Sequence, residues 1–280
     1  MFKIACLFLS LFLSFKVTAK DVVVSSSVPS GMGNLMFFLA GQVAYAHRFD
    51  KDFCLTNSPR PPFKLPFRRC TPEEERIADS KLCGVGRFSD EFMQKSDCLK
   101  FNAYFQDERF FADHKDFIKN LFQFTEPFPE KVLDLAEEIK SRNSVSIHIR
   151  RGDYLWEKRP IMSLEYYEAG ADYIQSKTKL PIRLYVFSND VKWVKENFRS
   201  KYPFTIVEGN SAVTDMHLMT LCHHNIIANS SFSWWGAYLN SNSGKIVIAP
   251  NTWDFKHPWW GDDIILKDWI ILDAKVSSEG

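Results

Sequence analysis

The apolar and polar positions divide the chain into three stretches. Ile4 to Phe15 is almost wholly apolar, broken only by Ser10 and Ser14, with Lys3 ahead of it and Val17-Thr18-Ala19 behind it. A membrane span needs about 20 apolar residues. This run is much shorter, so residues 1–19 read as a signal peptide, or as a short signal anchor, and place the remainder in a lumen or outside the cell. Next, a β-branched run predicts a strand from Asp21 to Ser27, Pro29-Ser30-Gly31-Met32-Gly33-Asn34 predicts a turn, and Leu35 to Phe49, apolar nearly all round, predicts a buried helix. From 51 to about 128 the periodicity is lost. Prolines cluster at Pro59, Pro61, Pro62 and Pro66 among Cys54, Cys70, Cys83 and Cys98, which predicts irregular structure with short helices.

From about 129 the pattern becomes regular. Helices are predicted at Pro129 to Ser141, from a Ser163 cap to Lys177, at Val191 to Phe198, from a Thr214 cap to His223 and from Ser233 to Asn240. Between them lie strands at Val145–Ile149, Arg183–Phe187, Phe204–Val207, Asn225–Ala228 and Lys245–Ala249. Such alternation implies an α/β fold with a parallel, doubly wound sheet. Ligands bind such sheets beyond the carboxyl ends of the strands. The segments 150–157, 188–190, 208–213 and 229–233 are therefore expected to line the site.

Composition narrows the function only a little. The 280 residues suit two modest domains or one large one. With 35 basic and 34 acidic side chains the chain lacks the basic stripe of a nucleic-acid binder. Beyond the signal, five cysteines remain. An oxidising lumen would let up to two bridges form in the 54–98 stretch, with Cys222, in an apolar helical pattern, as the unpaired candidate.

Candidate chemistry lies at the predicted strand ends. In His148-Ile149-Arg150-Arg151-Gly152-Asp153-Tyr154 an arginine can fork onto a diphosphate while Asp153 holds its rotamer, although the same residues also make an ordinary surface ion pair. In Asn229-Ser230-Ser231-Phe232-Ser233-Trp234-Trp235 hydroxyls and backbone N–H groups at a helix start form an anion site, or simply a capped helix with Trp in the core. Asn229-Ser230-Ser231 also fits a glycosylation acceptor, expected to be unmodified if it faces the crevice. Gly31-Met32-Gly33-Asn34 and Phe187-Ser188-Asn189-Asp190 are equally compatible with plain turns. His217, His223 and His224 lack a carboxylate or Cys to complete a metal site, and the predicted strand ends carry no Asp-x-Asp motif of the kind that holds a metal–diphosphate pair.

Together these segments resemble the α-1,2-fucosyltransferase family, glycosyltransferase family 11. The resemblance rests on Gly31 to Phe37, Ser146 to Tyr154, Val186 to Trp193, and the run from Asp215 through Asn229–Trp235 to Ala249-Pro250. It implies a GT-B-like fold of two Rossmann-type lobes with parallel sheets: residues 20–140 with a Cys/Pro-rich insertion, and residues 141–280 binding the nucleotide sugar. It implies an inverting transfer of fucose from GDP-fucose to the 2-hydroxyl of a terminal galactose on a glycan, with no metal and no cofactor. The donor diphosphate falls to Arg150, with Arg151 beside it. His148 and Asp153 shape the pocket, Ser231, Phe232 and Ser233 lie near the phosphates, and Gly33 and Asn34 approach from the first lobe. Asp153, Glu157 and His148 are candidates for a general base. Leu35 and Ser30 depart from the family's usual Gln and Gly. A protein O-fucosyltransferase and a catalytically inactive secreted sugar-binding protein are the alternatives. A lumenal setting, Golgi or secreted, is expected, with membrane contact only through an uncleaved anchor.

Overall fold

The computed structural model describes residues 20–25, 31–56, 67–124, 126–256 and 260–276. The apolar N-terminal segment expected to be a signal and the proline cluster lie outside them. No helix among the described residues is long and apolar enough to cross a membrane.

The N-terminal lobe begins with β1 (Val22–Ser25), α1 (Met32–Arg48), β2 (Asp52–Leu55) and β3 (Arg68–Arg69), the three strands forming a small parallel sheet. Helix α1 starts at Met32, earlier than the hydrophobic pattern predicts. Gly31, at φ 86°, turns the chain into it in a conformation that suits glycine. The stretch after β2 holds more structure than its sequence predicts: α2 (Pro72–Asp79), a two-stranded parallel pair β4 (Leu82–Gly84) and β5 (Lys100–Asn102), α3 (Asp90–Gln94) and α4 (Lys115–Leu121). Two disulfides, Cys54–Cys70 and Cys83–Cys98, staple it, and Cys222 is free and buried.

The C-terminal lobe runs α5 (Leu133–Ser141), β6 (Asn143–Ile149), α6 (Gly152–Glu157), α7 (Leu164–Lys177), β7 (Ile182–Ser188), α8 (Val191–Asn197), β8 (Phe204–Ile206), α9 (Ala212–Leu221), β9 (His224–Ile226), α10 (Ser231–Leu239), β10 (Val247–Pro250), α11 (Trp260–Ile264) and β11 (Ile270–Leu272). Its six strands are all parallel, in the order β11-β10-β9-β6-β7-β8. The chain therefore winds outward from β6 through β7 to β8, returns to β9 on the other side of β6, and winds outward again. The reversal between β6 and β9 opens a crevice at their carboxyl ends.

Strand β6 shows how the alternation of its sequence serves this sheet. Val145, Ile147 and Ile149 enter the core under α7. Ser144, Ser146 and His148 take the opposite face, where Ser146 Oγ accepts a 2.7 Å bond from Asn225 and Asn225 in turn accepts from Asn240 at 2.8 Å. The buried Ser146, Asn225 and Asn240 side chains are thereby paired, as such burial requires, whereas His148 Nδ1 meets no partner among the described residues.

The lobes share one core. Phe37 of α1 lies 4.5 Å from Trp234 and 5.0 Å from Trp235 of α10, and Phe111 stacks on Trp235 at 5.8 Å between ring centroids. Trp234 and Trp235 each donate an indole N–H, to Ile264 and Gly33 carbonyls. The Trp-Trp pair therefore fixes how the lobes meet.

Other boundaries differ from the sequence reading as well. Ser211, not Thr214, caps α9, its hydroxyl accepting from the Thr214 N–H at 3.1 Å. Residues 152–157 form a helix rather than a loop, and α10 starts at Ser231 rather than Ser233.

Candidate active site

A cavity of about 600 Å³ fills the crevice, within the usual range for ligand sites. Its walls come from the ends of β6 and β7, the segment after β9, and the first turns of α1, α6, α9 and α10. It receives His148, Arg150, Asp153, Ser231, Phe232, Gly33 and Asn34 from the sequence-predicted set; Arg151 and Ser233 are outside it.

Arg150 follows the last residue of β6. Its guanidinium donates to Asp153 Oδ2 at 2.7 Å and lies 5.5 Å from the Tyr154 ring centroid. The other Asp153 oxygen accepts from Asn189 Nδ2 at 3.0 Å, and Asn189 Oδ1 accepts from the Arg151 N–H at 3.0 Å. This chain of bonds sets the arginine's rotamer. Gly152 permits it: a Cβ there would sit 2.7 Å from Asn189 Nδ2. Arg150 Nε is buried and meets no acceptor among the described residues. A half-buried cation with an unused donor at a strand end is suited to an anion.

Arg151 points elsewhere because successive side chains leave an extended chain in opposite directions. Its guanidinium lies over the Trp193 ring at 4.3 Å and near Asp190 at 3.5 Å, on α8. Ser233 sits inside the first turn of α10, buried, its hydroxyl donating back to the Ser230 carbonyl at 3.2 Å. Neither side chain is presented to the cavity.

Across from Arg150 stands the N-terminus of α10, whose first-turn N–H groups and dipole favour negative charge. The first turn of α1 is pressed against it. A Cβ on Gly33 would lie 2.4 Å from Ser231 C and 2.5 Å from Phe232 N, so only glycine lets the two helix starts touch. Asn34 Oδ1 accepts from Ser231 Oγ at 2.6 Å and from Gln106 Nε2 at 2.8 Å. The glycine-rich turn thus joins the lobes at the cavity wall.

His148 lies beside Phe187 in register and 5.2 Å from the Phe232 ring, on the sheet face covered by α9 and α10. Burial, and secondarily the Arg150 charge, push its pKa down to about 3, so it is neutral at pH 7. It is therefore a poor proton acceptor despite its position. Asp153 is committed to Arg150 and Asn189, and Glu157 to Arg159 at 2.6 Å. Of the three general-base candidates, Asp153 and Glu157 are thus engaged, whereas His148 Nδ1 meets no partner among the described residues.

The cavity holds residues that the motifs did not single out as a site: Asp215, Gln106, Tyr104 and Arg159. Asp215 occupies the first turn of α9 and accepts a 3.0 Å bond from Asn210; burial raises its pKa to about 6. An acidic residue just after the predicted site loop 208–213 was its sequence signal. Gln106 and Tyr104 sit where the sequence has no period, so nothing local marked them.

Asn229 is only 2% exposed, and its amide donates to the Pro160 and Trp253 carbonyls at 3.1 and 2.9 Å. It braces the cavity floor and is no glycan acceptor in the folded chain. His217 is sandwiched between Phe124 and Phe128, His223 Nδ1 bonds Ser144, and His224 Nδ1 accepts from the Ile246 N–H. All three serve packing and hydrogen bonding.

Comparison with known proteins agrees with this architecture. Residues 89–273 match the profile of glycosyl transferase family 11. An Escherichia coli O-antigen biosynthesis glycosyltransferase, WbnK, is 37% identical over 167 residues, 54% of each chain. An Escherichia coli alpha-1,2-colitosyltransferase is 34% identical over 69% of this chain and 70% of its own. The galactoside alpha-(1,2)-fucosyltransferase 1 of Oryctolagus cuniculus is 26% identical over 78% of this chain and 63% of its own. The chain thus spans about half of one of these relatives and under two thirds of another. A solved Arabidopsis thaliana FUT1 variant in complex with GDP superposes with a TM-score of 0.50 at 12% identity, covering 82% of this chain and 70% of that one, a likeness of fold. The architecture is GT-B-like, and with its profile matching well over half of the sequence, this chain belongs to glycosyl transferase family 11.

Proposed function

We propose that the chain transfers fucose from GDP-fucose to the 2-hydroxyl of a terminal galactose on a glycan, with inversion and without a metal ion. The observation that carries this reading is Arg150, held by Asp153 with its Nε unused, facing the N-terminus of α10 across the crevice. As the bond to fucose breaks, charge grows on the leaving diphosphate, and a preset cation and helix dipole stabilise that charge without reorganising. The neighbouring slot suits a guanine base. His148, Phe187 and Phe232 offer flat faces, and the Asp215 carboxylate can accept from guanine N1–H and its 2-amino group, a donor pair that adenine lacks. An extracytoplasmic, secretory setting is part of the proposal, supported by the apolar segment ahead of Lys20 and by the two disulfides.

A second reading concerns the donor sugar. The relative named alpha-1,2-colitosyltransferase favours a fucose analogue lacking the 3-hydroxyl. Both readings are tested together. The protein, secreted from an oxidising host, is incubated with EDTA, β-galactoside acceptors and either GDP-fucose or GDP-colitose, beside Arg150→Ala. EDTA-resistant transfer from GDP-fucose to the galactose 2-hydroxyl, lost in the variant, is expected. Transfer from GDP-colitose alone would establish the second reading, and product formed at full rate by Arg150→Ala would refute the arginine's role.

A further inference from the structure

A second cavity, of about 300 Å³, lies beside the first and shares Tyr104 and Gln106 with it. It is built by the disulfide-stapled stretch of the N-terminal lobe together with α11. Val85, Phe88, Phe105, Phe110 and Ile264 supply an apolar wall. Arg87 forks onto Asp263 at 2.7 and 2.8 Å, and Arg109 bonds both Asp263 and Asp107. Arg87, Asp107 and Asp263 line the cavity, and Arg109, outside the lining, pairs with both aspartates, so donors and acceptors are presented with their charges compensated by ion pairs. Tyr104, at the junction of the two cavities, is 57% exposed although aromatic. Gln106, behind it, reaches Asn34 and through it Ser231, so this junction is tied directly to the first turn of α10.

These features match the chemistry of an uncharged pyranose. Such a ring has an apolar C–H face that packs on an aromatic side chain, while its hydroxyls need donors and acceptors together. A phosphate or carboxylate ligand would meet aspartates as readily as arginines. The position adds a second constraint: a ligand crossing Tyr104 continues from the first cavity into the second. Resting on the transfer reading above, we propose that the second cavity is an acceptor subsite. It holds the sugar to which the terminal acceptor residue is attached, with Tyr104 as the stacking platform between them.

Gly86 allows a clean test. It lines the second cavity and not the first, and a Cβ built on it meets nothing within 4 Å, so Gly86→Trp adds bulk to the cavity wall without a clash at Cβ. Initial rates are measured with methyl β-D-galactoside and with two β-galactosyl disaccharides, lactose and N-acetyllactosamine. Loss of one sugar's contacts should lower kcat/KM for the disaccharides about tenfold in Gly86→Trp while methyl galactoside stays within about twofold. Tyr104→Ala should lower the disaccharide value too, and Tyr104→Trp should restore it. Equal losses for all acceptors, or none, would overturn the subsite. If wild type makes no product from either GDP-sugar, the transfer reading fails on its own. Saturation-transfer NMR of the disaccharides with GDP present then decides the subsite separately: contact at the reducing-end sugar, lost in Gly86→Trp, supports it, and absence of that contact in wild type refutes it.

Discussion

Replacing Gly33 by alanine is the sharpest test of how the lobes are joined. The added Cβ would sit 2.4 Å from Ser231 C, 2.5 Å from Phe232 N and 2.7 Å from Ser231 O, all backbone atoms in a helix start. No side chain can swing away, so α1 must retreat from α10. That displacement strains the bond from Ser231 Oγ to Asn34 and the bond from Trp235 Nε1 to the Gly33 carbonyl. Overpacking of this kind costs about 1–3 kcal/mol, and each weakened hydrogen bond about 1 kcal/mol more. Alanine's helix preference returns at most about 1 kcal/mol. The net expectation is a loss of roughly 2–4 kcal/mol, or about 3–7 °C in Tm for a chain of this size. Gly236→Ala is the matched control. Its Cβ would meet Met219 Cβ and Sδ at 3.1 Å, tight but well outside the sub-3 Å backbone clash at Gly33, and should change stability by under about 1 kcal/mol. Thermal unfolding and GDP titration of the two variants decide the matter. Should Gly33→Ala melt with wild type and bind GDP unchanged, the close contact between α1 and α10 would not be what shapes the cavity.

Asp215 links stability to pH. Its folded pKa, raised by burial to about 6, exceeds the ordinary 3.8, so the native state holds the proton more tightly than the unfolded state. This group's stabilising contribution is therefore full below about pH 4 and is lost as pH rises through about 6. Asp215→Asn should stabilise the free protein at pH 7.5 by up to about 3 kcal/mol while weakening GDP binding; a variant less stable than wild type in denaturant titration would contradict this. Asn229→Asp would set a buried carboxylate against the Pro160 and Trp253 carbonyls. It should cost about 3–5 kcal/mol, seen as lost soluble yield or a lowered Tm, whereas near-wild-type melting would show that the floor relaxes. Reducing the Cys54–Cys70 and Cys83–Cys98 bridges, separated by 16 and 15 residues, should remove about 3 kcal/mol each. Comparing Cys83→Ser/Cys98→Ser with wild type should show disaccharide transfer falling first, since this bridge anchors Val85 to Phe88. An unchanged melt would indicate that packing alone holds the stretch.

The sequence by itself determined the alternation of strands and helices after 129, because buried parallel strands and amphipathic helices imprint different periods on the chain. It also placed its polar motifs at strand ends, since Arg150 to Asp153 and Asn229 to Trp235 each follow a buried strand. The tertiary structure alone decided that β6 and β9, about 80 residues apart, are neighbours, so that Arg150 and the start of α10 face one another. Local pattern carries no information about strand order. Nor could it tell which of two adjacent arginines enters the crevice, because both fit the motif and only the backbone direction at the end of β6 separates Arg150 from Arg151. Tyr104 and Gln106 were hidden for a related reason: in a stretch without periodicity, disulfides and contacts with distant segments place the side chains, and those contacts exist only once the chain has folded.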